Sequence, residues 1–506
     1  MIEQFNVLRD PWIALWRDDK RVLVTLEELL AGDAESSREI AHSRDELRAF
    51  SHVLLSALLQ ALFAPGSLES LRERIGVPMD RAAIRAAIDA VADDFELLGE
   101  PGWMQHGPRL DADRTDALFH EFSDTYRPHL ARGVSLTGGV CPACAVVGLY
   151  GFMAFAPAGG SGYSPSVRGT PPLSTLVRAG SVRATAWANV LVLRGASETY
   201  GPESSRPWAI APETLEPDGS TKQYRRDAHA IGLVEGLFWK PRAVRLAPAD
   251  DGECPLCGGH GARVIACGFT KGAKKEDGFF EHPLTPSVVI KNERRTQHIA
   301  TDKPVWTGLA DMLPAVRAGS AKASDPQAAP TVRQWRVLTP VPLELFVFAY
   351  RFDNASMEGR FFESYPALKK SGDSDFARAI ETMVARAEDT VSALASALKR
   401  AFSDNPKSKG AYWPEEARQQ FWRRAETPFW SAVALLDAEE EPPLWGPAMA
   451  RLARSLFDTM TSLTDAQFDG RRHIEAARKK LNVELKILGK ADPQAPTDSR
   501  TNAGGT

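Results

Sequence analysis

Cysteine is scarce in this chain: there are five in 506 residues, and four of them fall in two C-x-x-C pairs. That usage fits thiols kept reduced and used as metal ligands better than a disulfide framework. The fifth, Cys267, is expected simply to be buried. Positive charge is not in surplus either, since 61 Lys and Arg stand against 65 Asp and Glu for a formal net charge of −4. This argues against a uniformly basic nucleic-acid binder, because neutralising phosphates needs a surplus of cations, and leaves room for a local patch. Long apolar runs are missing. The most apolar stretches, such as residues 54–63, fall short of the ~20 residues that span a bilayer, and the start MIEQFNVLRDPW has no basic leader or apolar h-region. The expectation is a cytoplasmic protein with no membrane partner.

Catalytic signatures are absent as well. The sequence contains no G-x-x-x-x-G-K-[ST] loop, no G-x-S-x-G elbow, no H-E-x-x-H and no dinucleotide-binding glycine fingerprint. The deaminase order, H-x-E followed by P-C-x-x-C, is also lacking. His473-Ile474-Glu475 fits H-x-E by letter but lies downstream, in a helical segment.

What is present supports a multidomain globular protein, because 43% apolar and 25% charged residues over this length can build more than one core. Ser43 with Glu46 reads as a capping box that opens a helix with Leu47, Phe50, Leu54, Leu58 and Leu62 on one face, ended by Pro65-Gly66. Runs such as VLVL, WRVL and LELFVFAYRF within 182–239 and 332–350 read as strands. Residues 1–370 are therefore expected to form one large α+β domain. After SGDSD the pattern changes: Ser374 can cap a helix in which Phe376, Ile380, Met383, Ala387, Val391, Leu394 and Leu398 recur at helical spacing. Further helical segments run over 415–436, interrupted by Pro428, and over 445–463 and 471–488, joined by short polar loops. Four such segments predict an antiparallel four-helix bundle over residues 371–490, followed by a disordered tail at 491–506.

The two cysteine pairs are CPAC (Cys141, Cys144) and CPLCGGH (Cys254, Cys257). Each turn presents two sulfurs, and structural zinc takes four ligands in a tetrahedron, so the two together predict one Zn2+ site that clamps distant segments. Reduced cysteines, or a site in which His260 takes a position, are the alternatives. Close behind the first pair lies APAGGSGYSPSVRGTPP, where Gly159, Gly160 and Gly162 surround Ser161 and Tyr163, with Arg168 following. Glycines let a backbone approach a groove or a phosphate that a Cβ would block, although an ordinary surface loop has the same composition. Beyond the second pair, GFTKGAKKEDGFFEHP places Lys271, Lys274 and Lys275 beside Gly272 and Gly278. Such a cluster is commonly a solvated face, but held near the glycine loop it suits a DNA groove.

Trp12-Ile13, WMQ at 103–105, the two C-x-x-C pairs, RGTPPLSTLVR at 168–178, IGLVEGLFWKP at 231–241 and PLELFVFAYRFDNAS at 342–356 occur in an order that resembles the CasA family, the large subunit of the type I-E CRISPR surveillance complex Cascade. The resemblance covers nearly the whole chain, and GLFWKP and the AYR-to-NAS region are its most specific pieces. It implies a subunit that is not an enzyme, reads the protospacer-adjacent motif of double-stranded DNA from the minor groove, starts unwinding, and presents the target to a helicase-nuclease. The other Cascade subunits and the guide RNA are the remaining partners implied. By the same resemblance the glycine loop falls on Gly159, Gly160, Ser161 and Gly162. The lysine finger falls on Lys274 first and Lys271 second, and the wedge on Asp353, Asn354 and Ala355. Asn354 stands where the family commonly has Gln, and residues 129–139, with Arg132, correspond to a motif-touching loop whose Phe-Val-Asn-like segment has no match here. The competing classes are a zinc-dependent nucleic-acid-modifying enzyme with Asp353 or Glu344 as base, and a scaffold whose loops touch only protein.

Overall fold

A computed structural model describes residues 2–490 except 33–36, 101, 108, 110–112, 124–134, 159–163, 170–171, 194–198, 210–212, 216–220, 224, 272–273, 276–277, 300–302, 316–325, 354–355, 403–412, 439–444 and 463–470. The expected disordered tail lies outside the described residues. In chain order the first half holds β1 (Ile13–Arg17), β2 (Lys20–Val24), α1 (Leu26–Leu30), α2 (Asp45–Phe63), α3 (Leu68–Gly76), α4 (Arg81–Asp89), α5 (Pro142–Ala154), β3 (Ser174–Val177), α6 (Val182–Ala188), β4 (Glu213–Leu215), β5 (Thr221–Gln223), β6 (Arg225–Arg226) and α7 (Leu233–Leu237). There follow β7 (Arg242–Glu253), β8 (His260–Lys271), β9 (Lys274–Lys275), β10 (Ser287–Ile290), β11 (Glu293–Thr296), α8 (Leu309–Met312), α9 (Pro330–Leu338), β12 (Leu343–Asp353), β13 (Ser356–Leu368), α10 (Ser374–Ala401), α11 (Trp413–Asp437), α12 (Trp445–Ser462) and α13 (Arg471–Lys490).

Two compact units emerge, Met1–Thr301 with Gly319–Ala367 and Asp302–Ala318 with Leu368–Thr506. The first is mixed α+β. Its central helix, α2, is long and apolar enough to cross a membrane by length and composition, but 78% of that window is buried inside the protein, as a core helix requires. It packs against α5 and α6. The strand order β13-β12-β3 places LELFVFAYRF at the centre of a three-stranded sheet, with Phe346 opposite Leu176 in antiparallel register. The β7–β8 hairpin has the second cysteine pair as its turn.

The first turn of α2 has no side-chain cap: Arg44 stands at the N-cap, the Ser43 hydroxyl instead donates to the Leu256 carbonyl, and Glu46 is drawn into a buried ion cluster. WRVL is the end of helix α9, not a strand. Pro330 at its first turn fixes the helical φ, and Val332, Trp335 and Leu338 bury one face at spacings of three. Residues 182–188 are also helical, because the Ser181 hydroxyl accepts from Ala184 N, and VLVL forms no strand. In these segments β-branched content gave way to caps and burial.

In the second unit α10 buries Phe376, Ile380, Met383, Ala387, Val391, Leu394 and Leu398, the face expected from the spacing, and is capped by Asp373, one residue ahead of Ser374. Helix α10 packs on α11, α12 and α13, α11 on α12, and α12 on α13. Pro428 lies inside α11 without ending it. Trp306, from the segment before α8, stacks on Phe429 of α11 at 4.3 Å between ring centroids.

Candidate metal centre and nucleic-acid interface

Cys141 is the N-cap of α5, with Pro142 at the first helical position, so helix geometry folds Cys144 N–H back onto the Cys141 sulfur at 3.5 Å. Cys254 and Cys257 occupy the β7–β8 turn, where Gly258 N donates to Cys254 O and Cys254 N to Gly259 O, both at 2.8 Å. Gly258 adopts φ +71°, the left-handed conformation that the knuckle needs and a side chain resists. The two turns are joined by a two-bond bridge between Val140 and Val264. Directly before it Gly139, at φ +96°, lies so close to β8 that a Cβ would fall 2.5 Å from the Val264 carbonyl oxygen.

The four sulfurs lie within 4.8 Å of one another, and Cys141 Sγ is 3.6 Å from Cys257 Sγ. Metal–sulfur bonds of about 2.3 Å at tetrahedral angles require sulfur separations of about 3.8 Å, so this set can hold a metal ion with little movement. His260 is exposed and faces Glu253 rather than completing the group. Cys267 is buried in β8 and stands outside it. Hydrogen bonds from the Cys141 and Cys144 thiols lower Cys257 to about 6, whereas bonds to Cys141, Cys254 and Cys257, with burial, push Cys144 well up. The sulfurs therefore share protons that a cation would displace.

Of the sequence-derived DNA residues, Lys271 stands at the other end of the β7–β8 hairpin from the cysteine turn, opposite Arg242, so the expected closeness of the lysine loop to the cysteines is corrected. Gly159, Gly160, Ser161 and Gly162 lie outside the described residues, but the ends of their loop are defined. Arg242, at the start of β7, donates to Pro157 O at 2.8 Å and to Ser164 O, and Ser166 N donates to Ala156 O. Arg168 is buried and donates to Thr285 and Ser174 hydroxyls, and burial lowers it to about 9, so it serves the core. Lys271 is the last residue of β8 and pairs with Arg242, while Lys274 is half-buried at the start of β9. Asp353 ends β12. Asn354, Ala355 and Arg132 lie outside the described residues. Glu344 is held by Arg178 at 2.5 Å.

Comparison with known families matches residues 6–463 to the model of CRISPR-associated protein Cse1. The chain belongs to the Cse1 family. Solved structures agree at the level of fold. Thermus thermophilus CasA (Cse1) superposes with a TM-score of 0.75 at 18% identity, over 96% of this chain and all of that one. Thermobifida fusca Cse1 gives 0.69 at 17%, over 96% and 98%. A chain of a CRISPR RNA-guided surveillance complex gives 0.68 at 16%, over 95% and 100%.

This Cse1-family chain also carries features that sequence reasoning missed. Glu46 and Glu121, almost fully buried, share Arg44 and Arg360, with Arg360 Nη1 at 2.6 Å from Glu46 and 2.8 Å from Glu121. Arg360 stands on β13, so the cluster ties the β12–β13 hairpin to the start of α2. A second is Arg225, which pairs with Lys274 in the β6–β9 ladder. No local motif marks either, since each joins residues far apart in the chain.

Proposed function

We propose that this chain is the large subunit of an RNA-guided type I-E CRISPR Cascade complex in the cytoplasm. There it recognises the protospacer-adjacent motif of double-stranded DNA from the minor groove, initiates unwinding and helps recruit the helicase-nuclease. The observation that carries this reading is the family match over residues 6–463. The shared fold of a chain from a CRISPR RNA-guided surveillance complex supports assembly with other Cascade subunits and guide RNA. In this reading Cys141, Cys144, Cys254 and Cys257 hold a structural Zn2+ that fixes the β7–β8 hairpin to the start of α5. The backbone of Gly159, Gly160, Ser161 and Gly162 approaches the groove, Lys274 or Lys271 contacts it as the finger, and Asp353, Asn354 and Ala355 form the wedge. Helices α10 to α13 serve as an antiparallel bundle for docking.

The energetics suit a subunit with no covalent chemistry. Exchanging DNA duplex for guide–target hybrid is nearly balanced, with stacking worth about 1.4 kcal/mol per step, so a small push at one end nucleates it. Unstacking one step costs roughly a few kcal/mol, which a wedge and several phosphate contacts offset. Minor-groove readout separates mainly A·T from G·C, so motif selection is permissive. A non-catalytic role is also favoured by the metal group, because four thiolates fill a tetrahedron and leave no position for a reacting water.

The test is reconstitution of the guide-loaded complex with variants of this chain. Lys274→Ala should weaken binding of motif-bearing duplex several-fold while assembly is preserved. Asp353→Ala with Asn354→Ala should retain motif contact yet slow strand opening in permanganate footprinting. Wild-type affinity and opening in these variants would sink the residue assignments, and motif-independent binding by the wild-type complex would sink the function.

A further inference from the structure

The metal centre has a neighbour that neither cysteine pair announces. Just before α2, residues 41–43 run past the second cysteine turn, where the Ser43 hydroxyl donates to the Leu256 carbonyl at 3.4 Å, between the two cysteines of the knuckle. The β1–β2 hairpin holds this segment from behind: Ala41 N donates to Ala14 O at 2.8 Å, and Arg21 Nε donates to Ala41 O at 3.1 Å. His42 is therefore fixed beside the knuckle.

His42 is 6% exposed, and its Nε2 is shut off from solvent without a hydrogen-bond partner. Arg21 Nη2 is in the same condition. The charged groups that act on the His42 ring are Arg21 and Cys254. Buried polar groups left unpaired are rare in folded proteins, so a donor of this kind beside a ligand site calls for an acceptor. A Cys254 thiolate is one.

The charge of the centre supplies the reason. A divalent cation with four thiolates keeps two negative charges in excess. Cys144 N–H, on the Cys141 sulfur at 3.5 Å, offsets part of that excess at one ligand. Buried charge needs further hydrogen bonds, and polar groups just outside the ligands of a metal provide them. The unpartnered nitrogens of His42 and Arg21 have the sign and the burial for that task.

We propose that His42 is an outer donor of the metal centre, its Nε2–H hydrogen-bonded to the Cys254 thiolate, with the Arg21 guanidinium adding positive charge behind it. This rests on the reading of the four cysteines as a Zn2+ site. His42 is a positioning residue: it acts on the metal only through Cys254, by orienting that sulfur and drawing off part of its charge.

The experiment uses the full chain. Zn2+ affinity is measured by competition with a chelator, and Co2+ loading gives the absorption bands that report charge transfer from sulfur to metal. Loss of an outer partner costs about ten- to a hundredfold in metal affinity. His42→Phe, which keeps a ring and removes the donor, is expected to lose that much and to shift the sulfur-to-cobalt bands. His42→Gln, which returns an N–H, should recover most of the affinity and the wild-type bands. Wild-type affinity and unshifted bands in His42→Phe would overturn the proposal while the metal site stands. Equal weakening in both variants would show that the ring serves packing alone, and the proposal would be wrong. Should His42→Phe fail to fold, wild-type chain with isotope-labelled histidine decides: the His42 ring N–H resonance must move on Zn2+ loading, and one that stays in place overturns the hydrogen bond. Wild-type chain that takes up neither Zn2+ nor Co2+ removes the metal centre and this inference with it.

Discussion

Glu121 has a side chain only 1% exposed and a second carboxylate, Glu46, beside it, so the two Arg partners do not fully compensate for burial. Burial first, and then the Glu46 charge, raise Glu121 from its ordinary 4.5 to about 7. An acid raised in the folded state holds its proton while the unfolded chain releases it. The stability it contributes is therefore complete below about pH 4.5 and is lost as pH rises through about 7. The slope is at most about 1.4 kcal/mol per pH unit across that window. Glu121→Gln should remove it, and urea midpoints of wild type and variant measured from pH 5 to 8 should converge in shape only above pH 7. Parallel curves throughout would show that Glu121 ionises normally. Nothing near Glu46 in the sequence announces this pairing. The capping-box reading gave Glu46 a local role because its partners, Glu121 and Arg360, are brought to it by tertiary folding.

At the scale of elements, the metal group joins a helix start to a hairpin turn. Both halves were legible in the letters, because Pro at a helix's first turn and Gly at a left-handed position are local requirements that spacing reveals. The same holds for LELFVFAYRF in β12 and for the apolar face of α10. WRVL and VLVL were misleading because short apolar runs do not distinguish buried helix or coil from strand. Metal removal tests the clamp directly. Elemental analysis should find one zinc per chain, and Cys254→Ser should abolish it. Zinc binding is worth on the order of 10–16 kcal/mol in small peptides, but here the Val140–Val264 bridge also joins the two turns. The expected result is a lower melting temperature and faster amide exchange confined to residues 135–144 and 250–262, with α10 to α13 unaffected. Metal-free protein with unaltered exchange would reduce the four sulfurs to packing.

Across the whole molecule, charge near balance hides local specialisation. A net charge of −4 gives no hint of a basic rung at Arg225 and Lys274, because those residues are neighbours only through the β6–β9 ladder. Buried histidines are hidden in the same way, for the fold uses them as neutral core. Burial lowers His52, His106 and His120 to about 3 and His282 well below its usual value, and His282 Nδ1 accepts from Leu284 N, which requires it unprotonated. A base lowered in the folded state contributes stability that is complete above the unfolded value near 6.5 and is lost as pH falls toward the folded one. Each fully buried histidine adds a slope of about 1.4 kcal/mol per pH unit below 6.5. Four of them outweigh the opposite trend from Glu121, so the first compact unit should lose stability steeply as pH falls below about 6.5. All four lie in the first compact unit, so tryptophan fluorescence and circular dichroism should register its loss while helical signal from α10 to α13 persists to lower pH. Stability that stays flat from pH 7 to 4 would mean that these histidines reach solvent, and that the core around α2 and α5 is looser than its packing indicates.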